Sequence, residues 1–223
     1  MIVVGLDTAT PATVAGVLGA GGEVCEVRDD PAPGERPAHA ARLLAAAEAA
    51  LEQAGIGWEA VERLAVGLGP GSFTGLRIGI ATARALAQAR GLPLVGVSSL
   101  EALARGAADA ELVLAVLDAR RGEAFAAAWR AGTPVLAGAA LSPEALAERV
   151  RTLPAAPLAV GDGAVRFRRP LEAAGARVPA DEDGLHRLRA EHVCRLGAEG
   201  TPIDRDALLP DYLREPDAVP RQR

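Results

Sequence analysis

Over the first hundred residues, short apolar stretches alternate with turns, and two longer stretches carry apolar residues at helical spacing. The short stretches are rich in Val, Ile and Leu, which predicts β-strands. The longer stretches predict helices, and each ends at a glycine, Gly55 or Gly91. The predicted order is therefore βββαβαβα. Strands are expected at 2–6, 13–18, 23–28, 63–66 and 93–97, and helices at 38–54, 76–90 and 99–105.

The same kind of alternation restarts after Asp109. Two similar α/β halves are the simplest account of the chain, with a first domain at 1–104 and a smaller second domain at 105–202. In the second half, strands are expected at 112–117, 123–130, 135–141 and 158–161, and helices from Ser142, at 161–174 and at 185–196.

Glycines are concentrated at 67–79, between a predicted strand and the second long helix. Gly69 and Gly71 allow a tight turn with positive φ, and Ser72 can cap the helix through its hydroxyl. A helix N-terminus entered in this way presents free N–H groups that suit an anion. However, the stretch lacks the lysine of a P-loop, since the chain contains no lysine, and it lacks the Gly-x-Gly-x-x-Gly spacing. An anion site and a crossover turn without a ligand therefore both stay open.

The helix that follows carries Gly75, Gly79, Ala83 and Ala87 at every fourth position. This ridge is nearly bare of side chains, so another backbone can approach it closely. Most of the remaining circumference is also apolar, which predicts that the helix is covered on more than one face. One cover is expected to be its own sheet, and the other a neighbouring helix or a second chain. On this interpretation, a bulky residue at position 79 would block pairing and leave the fold intact.

Composition and charge argue against several classes of protein. A net charge of −5 and a pI near 5.3 argue against a chain that binds nucleic acid by itself through a basic field. Cys25 and Cys194 lie far apart in the sequence and are predicted to be small buried hydrophobic residues in a reducing cytosol. No signal-peptide pattern precedes the first strand, and no uninterrupted apolar run has the length of a membrane span. A cytoplasmic protein is expected.

Candidate catalytic groups are few. The first turn carries Asp7 and Thr8, whose carboxylate and hydroxyl suit a phosphate or a metal-bound water, although the same residue types also form ordinary turns. No two of the three histidines are one helical turn apart, so no metal site is predicted. Ser72 lacks the Gly-x-Ser-x-Gly pattern, and no catalytic residue is predicted. The arginines at 166, 168 and 169 form a local basic cluster that suits RNA phosphates or a solvated helix face.

Several motifs, in order over nearly the whole chain, resemble the TsaB (YeaZ) family, the bacterial partner protein in threonylcarbamoyladenosine modification of tRNA. The glycine stretch at 67–79 is the most specific of them. The others are Leu6-Asp7-Thr8-Ala9-Thr10, His39 with Arg42-Leu43-Leu44, Asp118-Ala119-Arg120-Arg121-Gly122-Glu123, Gly161-Asp162-Gly163 and Tyr212-Leu213-Arg214.

The resemblance implies the actin-like and Hsp70-like ATPase fold, with two RNase-H-like α/β domains of which the second is reduced. It also implies that residues 203–223 return to the first domain. The expected role is a non-catalytic scaffold or activating subunit that pairs with the catalytic subunit TsaD, is joined by the ATPase TsaE and meets tRNA through the complex. No cofactor is expected on the chain by itself; ATP or ADP is expected only in the complex, with Asp7 and Thr8 as candidates for nucleotide binding.

The resemblance further implies that the first two helices pair with TsaD, or with a second copy of the chain in a homodimer. The alternative function is an ATP-dependent phosphotransferase of the same fold, with Asp7 and Thr8 at the phosphates. The residues expected at the helical interface are His39, Leu43, Ala47, Phe73, Gly75, Leu76, Gly79 and Ala83.

Overall fold

The structure is a computed structural model that describes residues 1–32 and 34–214. Within these residues the chain forms two sheets with helices packed around them. The strands are β1 (Val3–Asp7), β2 (Thr13–Leu18), β3 (Val24–Asp29), β4 (Arg63–Gly69), β5 (Leu94–Ser98), β6 (Leu112–Arg120), β7 (Glu123–Arg130), β8 (Thr133–Leu141) and β9 (Leu158–Val160). The helices are α1 (His39–Ala54), α2 (Phe73–Arg90), α3 (Ser99–Arg105), α4 (Pro143–Thr152), α5 (Asp162–Arg166), α6 (Arg168–Ala173) and α7 (Ala190–Glu199).

The first sheet has the strand order β3-β2-β1-β4-β5. The pairs β1–β2 and β2–β3 are antiparallel hairpins, whereas β1–β4 and β4–β5 are parallel pairs joined through helices. Every residue of β1 and β2 is buried, in keeping with strands that are covered on both faces. The order βββαβαβα predicted for the first hundred residues is confirmed.

Helices cover both faces of this sheet. On one face, α1 and α2 bury Leu43, Leu51 and Ile80 against β1, β2 and β4. On the other face lies α7, which comes so close that a Cβ built on Gly5 would stand 2.7 Å from Sγ of Cys194. Cys194 is buried as predicted, and burial raises the pKa of its thiol to about 12.

The position of α7 differs from the sequence prediction in two ways. The helix begins at Ala190 rather than at 185, because Gly184–His186 forms a separate 3-10 turn capped by Asp183. In addition, α7 contacts the first sheet, although the sequence division placed 105–202 in the second domain. A short amphipathic helix gains stability wherever its apolar face is buried, and here that face fits the first sheet.

The second sheet has the order β8-β7-β6-β9. One face packs on α4, α5 and α6, and the other face packs on α3. The helix predicted at 161–174 is broken at Phe167, which ends α5 and precedes α6. Because α3 buries Ala102 against the first sheet and Leu103 against the second, it lies between the two halves.

The C-terminal segment, defined here as residues 205–214, contacts both halves of the molecule. Leu208 is buried in the core under the first sheet, and the backbone N–H of Asp211 donates to the carbonyl of Leu68. Three residues later, Arg214 donates to the carbonyl of Ala119 and pairs with Glu123 at 2.9 Å, both in the second half. The predicted return of 203–223 to the first domain therefore holds for Leu208 and Asp211, whereas residues 215–223 lie outside the described residues.

Candidate functional site

A cleft with a cavity of about 560 Å³ lies between the two halves. Its volume is in the range of small-molecule sites in proteins. Four segments meet around it: the β1–β2 turn, the entry to α2, the β6–β7 turn with α5, and the end of the C-terminal segment. The residues that line it include Ala9, Gly71, Ser72, Phe73, Asp118, Arg120, Asp162, Tyr212 and Arg214.

The glycine turn forms the first-half wall of the cleft. Gly69 has φ of 101°, and a Cβ built on Gly71 would stand 2.3 Å from the carbonyl oxygen of Ala9. Only glycine fits either position without strain. Ser72 then caps α2, because its hydroxyl accepts the N–H of Gly75 at 3.2 Å. The predicted strand-to-helix turn and its serine cap are confirmed.

Asp7 and Thr8 lie behind this wall rather than on it, because both side chains are fully buried. The hydroxyl of Ser99 and the N–H of Ala9 donate to the two carboxylate oxygens of Asp7 at 2.6 and 2.7 Å. Burial outweighs these bonds and raises the pKa of Asp7 from its ordinary 3.8 to about 6. Thr8 donates its hydroxyl to the carbonyl of Gly75. The nucleotide-binding role of Asp7 and Thr8 stays a prediction.

On the side of the cleft formed by the second half, the carboxylates are already engaged in hydrogen bonds and ion pairs. Asp162 accepts the N–H of Asp118 at 3.0 Å, and burial raises the pKa of Asp162. Asp118 in turn pairs with Arg166 at 2.8 Å and with Arg120 at 3.5 Å. In the basic cluster of the sequence, Arg166 is thus paired, and so is Arg168, with Glu172 and Asp181. These ion pairs favour a structural role over phosphate binding for both arginines.

Sequence reasoning did not identify the aromatic pair at the mouth of the cleft. Phe73 stacks on Tyr212 with ring centroids 5.5 Å apart, and both are substantially exposed, at 46% and 40%. The guanidinium of Arg77 lies 3.9 Å above the Phe73 ring, and its Nε donates to the Tyr212 hydroxyl at 3.2 Å. Only six residues of the chain are aromatic, so the meeting of two of them in exposed positions is a signal for a binding surface.

Seven of the eight residues expected at the helical interface are buried by the chain itself, which corrects that prediction. A Cβ on Gly75 or Gly79 would stand 2.0 or 2.4 Å from atoms of Thr8, so the bare ridge of α2 packs on the first sheet and its β1–β2 turn. Of the eight, only Phe73 is exposed. The seven buried residues are His39, Leu43, Ala47, Gly75, Leu76, Gly79 and Ala83.

The outer face of α1 and α2 is nevertheless exposed and largely apolar. On α1, Leu44 is 44% exposed. On α2, Ala81 and Ala85 are exposed one turn apart, next to the half-buried Ile78 and Thr82. We call this surface the apolar strip; it comprises Ala41, Leu44, Ala45, Ile78, Ala81, Thr82 and Ala85.

Known proteins share both the sequence and the fold. A family model described as "TsaD: tRNA N6-adenosine threonylcarbamoyltransferase" matches residues 35–155. The TsaB protein of Escherichia coli, described as a tRNA threonylcarbamoyladenosine biosynthesis protein, is 35% identical over 96% of this chain and 95% of its own length. The chain belongs to the TsaB (YeaZ) family. A further relative, the uncharacterised ML0378 of Mycobacterium leprae, is 39% identical over 64% of the chain, a match that spans 39% of its own length.

Solved structures agree with this family assignment. YeaZ from Pseudomonas aeruginosa superposes with a TM-score of 0.73 at 30% identity, covering 95% of this chain and 99% of the other. The ROK hexokinase of Thermus thermophilus superposes with a TM-score of 0.53 at 16% identity, covering 89% and 99%. The second likeness shows the fold alone, and it places this TsaB-family chain in the actin-like ATPase fold. Across residues 1–32 and 34–214, no helix has both the length and the hydropathy to cross a bilayer.

Proposed function

We propose that the chain is a non-catalytic, cytoplasmic subunit that acts in tRNA threonylcarbamoyladenosine modification and binds a TsaD-like catalytic subunit through α1 and α2. The apolar strip carries this proposal. It is a largely apolar, partly exposed face with four alanines, and small residues let a partner helix approach closely. A TsaE-like ATPase joins the pair, and tRNA is bound by the complex. A homodimer would use the same strip when the catalytic subunit is absent.

Charge pairing in the cleft supports a role without catalysis. Arg214 is paired with Glu123, and Arg120 shares Asp118 with Arg166. A triphosphate needs several cations that are not already neutralised, and the chain has no lysine to supply one. We therefore propose that the chain binds no nucleotide tightly by itself and that ATP or ADP binds only once the complex has formed.

The second candidate is an ATP-dependent phosphotransferase. The cavity volume favours it, since about 560 Å³ accommodates a nucleotide-sized ligand. Calorimetry of the isolated chain with Mg-ATP separates the two functions. Tight binding to the chain alone would support the phosphotransferase, and negligible binding would support the partner subunit.

Placing a charge in the apolar strip tests the partner-subunit proposal. Ala81→Glu is expected to abolish co-elution with the TsaD-like subunit, because a longer, charged side chain is costly in a closely packed interface from which water is excluded. The substitution is at an exposed position, so the thermal midpoint should change little. Ala145→Glu is the matched control, since it makes the same substitution at an exposed alanine on α4, in the second half of the molecule and away from the strip. Undiminished co-elution of Ala81→Glu would exclude this surface.

A further inference from the structure

One stretch of this acidic chain carries arginines and no acidic residue, and it includes the helix that holds Phe73. The stretch from 63 to 100 contains four arginines and no Asp or Glu, although the whole chain has a net charge of −5. Three of these arginines lie on α2, at positions 77, 84 and 90. The stretch therefore has a local charge of opposite sign to the molecule as a whole.

Within residues 1–32 and 34–214, the contacts of these three arginines are with uncharged groups. Arg77 lies against the Phe73 ring and the Tyr212 hydroxyl, Arg84 donates to a backbone carbonyl, and Arg90 lies 4.7 Å above the Trp58 ring. None of these groups carries a negative charge. Elsewhere on the surface the usual partner is a carboxylate, as in the pairs Arg105–Glu199, Arg130–Glu111 and Arg195–Glu191.

The basic surface and the apolar strip lie side by side on α2. Arg77 and Arg84 are seven residues apart and share one stripe of α2, with Phe73 four residues before Arg77. Ala81 follows Arg77 by four residues and Ala85 follows Ala81 by four, so the apolar strip adjoins this stripe and extends toward Ile78 and Thr82. Both sets of residues are at least partly accessible, so a ligand on the basic surface would lie next to a partner bound on the apolar strip.

We infer that Phe73, Arg77, Arg84 and Tyr212 form an RNA-binding face that takes unpaired nucleotides of an RNA loop. Exposed aromatic rings stack on unpaired bases, arginine planes do the same, and guanidinium groups bind phosphates. The rest of the chain carries a net negative charge, which disfavours RNA binding there. The inference rests on the proposed function, because it assigns to this chain part of the tRNA contact of the complex.

The experiment measures binding of a fluorescein-labelled, unmodified tRNA transcript to the complex of this chain with its catalytic partner, at several salt concentrations. The double variant Arg77→Gln/Arg84→Gln is expected to weaken binding about tenfold and to lower the slope of log K against log salt by about 1.5. Tyr212→Leu is expected to weaken binding about tenfold with no change in slope, because it removes stacking and no charge. The matched control is Arg151→Gln/Arg195→Gln, at exposed arginines that are paired with carboxylates.

Co-elution of each variant with the catalytic partner separates this inference from the proposed function. Weaker RNA binding with co-elution intact supports the RNA-binding face. The inference is overturned if the variants have the same RNA affinity and salt slope as the control variant. It is also overturned if RNA binding weakens only in variants that no longer co-elute, since the face would then bind a protein partner. A failure of the proposed function would instead show as undiminished co-elution of Ala81→Glu.

Discussion

Replacing Gly75 with alanine is expected to lower the free energy of unfolding by about 3 kcal/mol. The new Cβ would stand 2.0 Å from the carbonyl oxygen of Thr8 and 3.3 Å from Nε2 of His39. The first neighbour is backbone and cannot rotate away, so α2 or the β1–β2 turn must move. Helix propensity favours alanine over glycine by about 1 kcal/mol, and a larger packing cost outweighs this gain. Urea unfolding, followed by far-UV circular dichroism, measures the difference.

Gly184 provides the matched control for this substitution. It has no heavy atom within 4 Å of the position of a Cβ, and its φ is not positive, so Gly184→Ala should leave stability within about 0.5 kcal/mol of wild type. A Gly75→Ala variant as stable as Gly184→Ala would show that α2 does not pack on Thr8 in the folded protein. The same geometry reverses what the sequence predicted for Gly79→Leu, namely loss of pairing with an intact fold. A Cβ at position 79 would stand 2.4 Å from the Thr8 hydroxyl oxygen, so this substitution is expected to disrupt the fold itself.

These two glycines show what the sequence could and could not predict. A small residue at every fourth position correctly predicted a bare ridge and the close approach of another backbone. The pattern does not say which backbone approaches, because a β-turn of the same chain and a helix of a partner need the same space. Nothing in the sequence indicated that Ala81 and Ala85 are exposed, since alanine is common on both buried and exposed helix faces.

In the candidate site, too, local features were predictable from the sequence and contacts between distant segments were not. The glycine turn, its serine cap and most strands were predictable because their signals lie within a few residues of one another. The stacking of Phe73 on Tyr212 and the packing of α7 on the first sheet join residues that are far apart in the sequence. Local periodicity gives the apolar face of a segment and does not give the surface on which that face is buried.

The buried carboxylate of Asp7 lowers the stability of the folded protein at neutral pH. Asp7→Asn is expected to raise the free energy of unfolding at pH 7.5, by up to about 3 kcal/mol, because a pKa shift from 3.8 to about 6 makes ionisation in the folded state unfavourable. The asparagine carbonyl can accept the N–H of Ala9 as the carboxylate does, and its amide can donate to the Ser99 hydroxyl. The exchange therefore removes the charge and keeps both hydrogen-bond partners.

The pH dependence of this effect follows from the sign of the shift. Because the folded-state pKa of Asp7 is raised, its contribution to stability is fully present below pH 3.8 and is lost as the pH rises through about 6. The advantage of Asp7→Asn over wild type should therefore grow between pH 4 and pH 6.5 and then level off, which urea unfolding at pH 4.5, 5.5, 6.5 and 7.5 would measure. Ser99→Ala removes the donor to the ionised carboxylate, so it should lower stability more at pH 7.5 than at pH 4.5. A constant difference between Asp7→Asn and wild type over this range would mean that burial does not control the titration of Asp7.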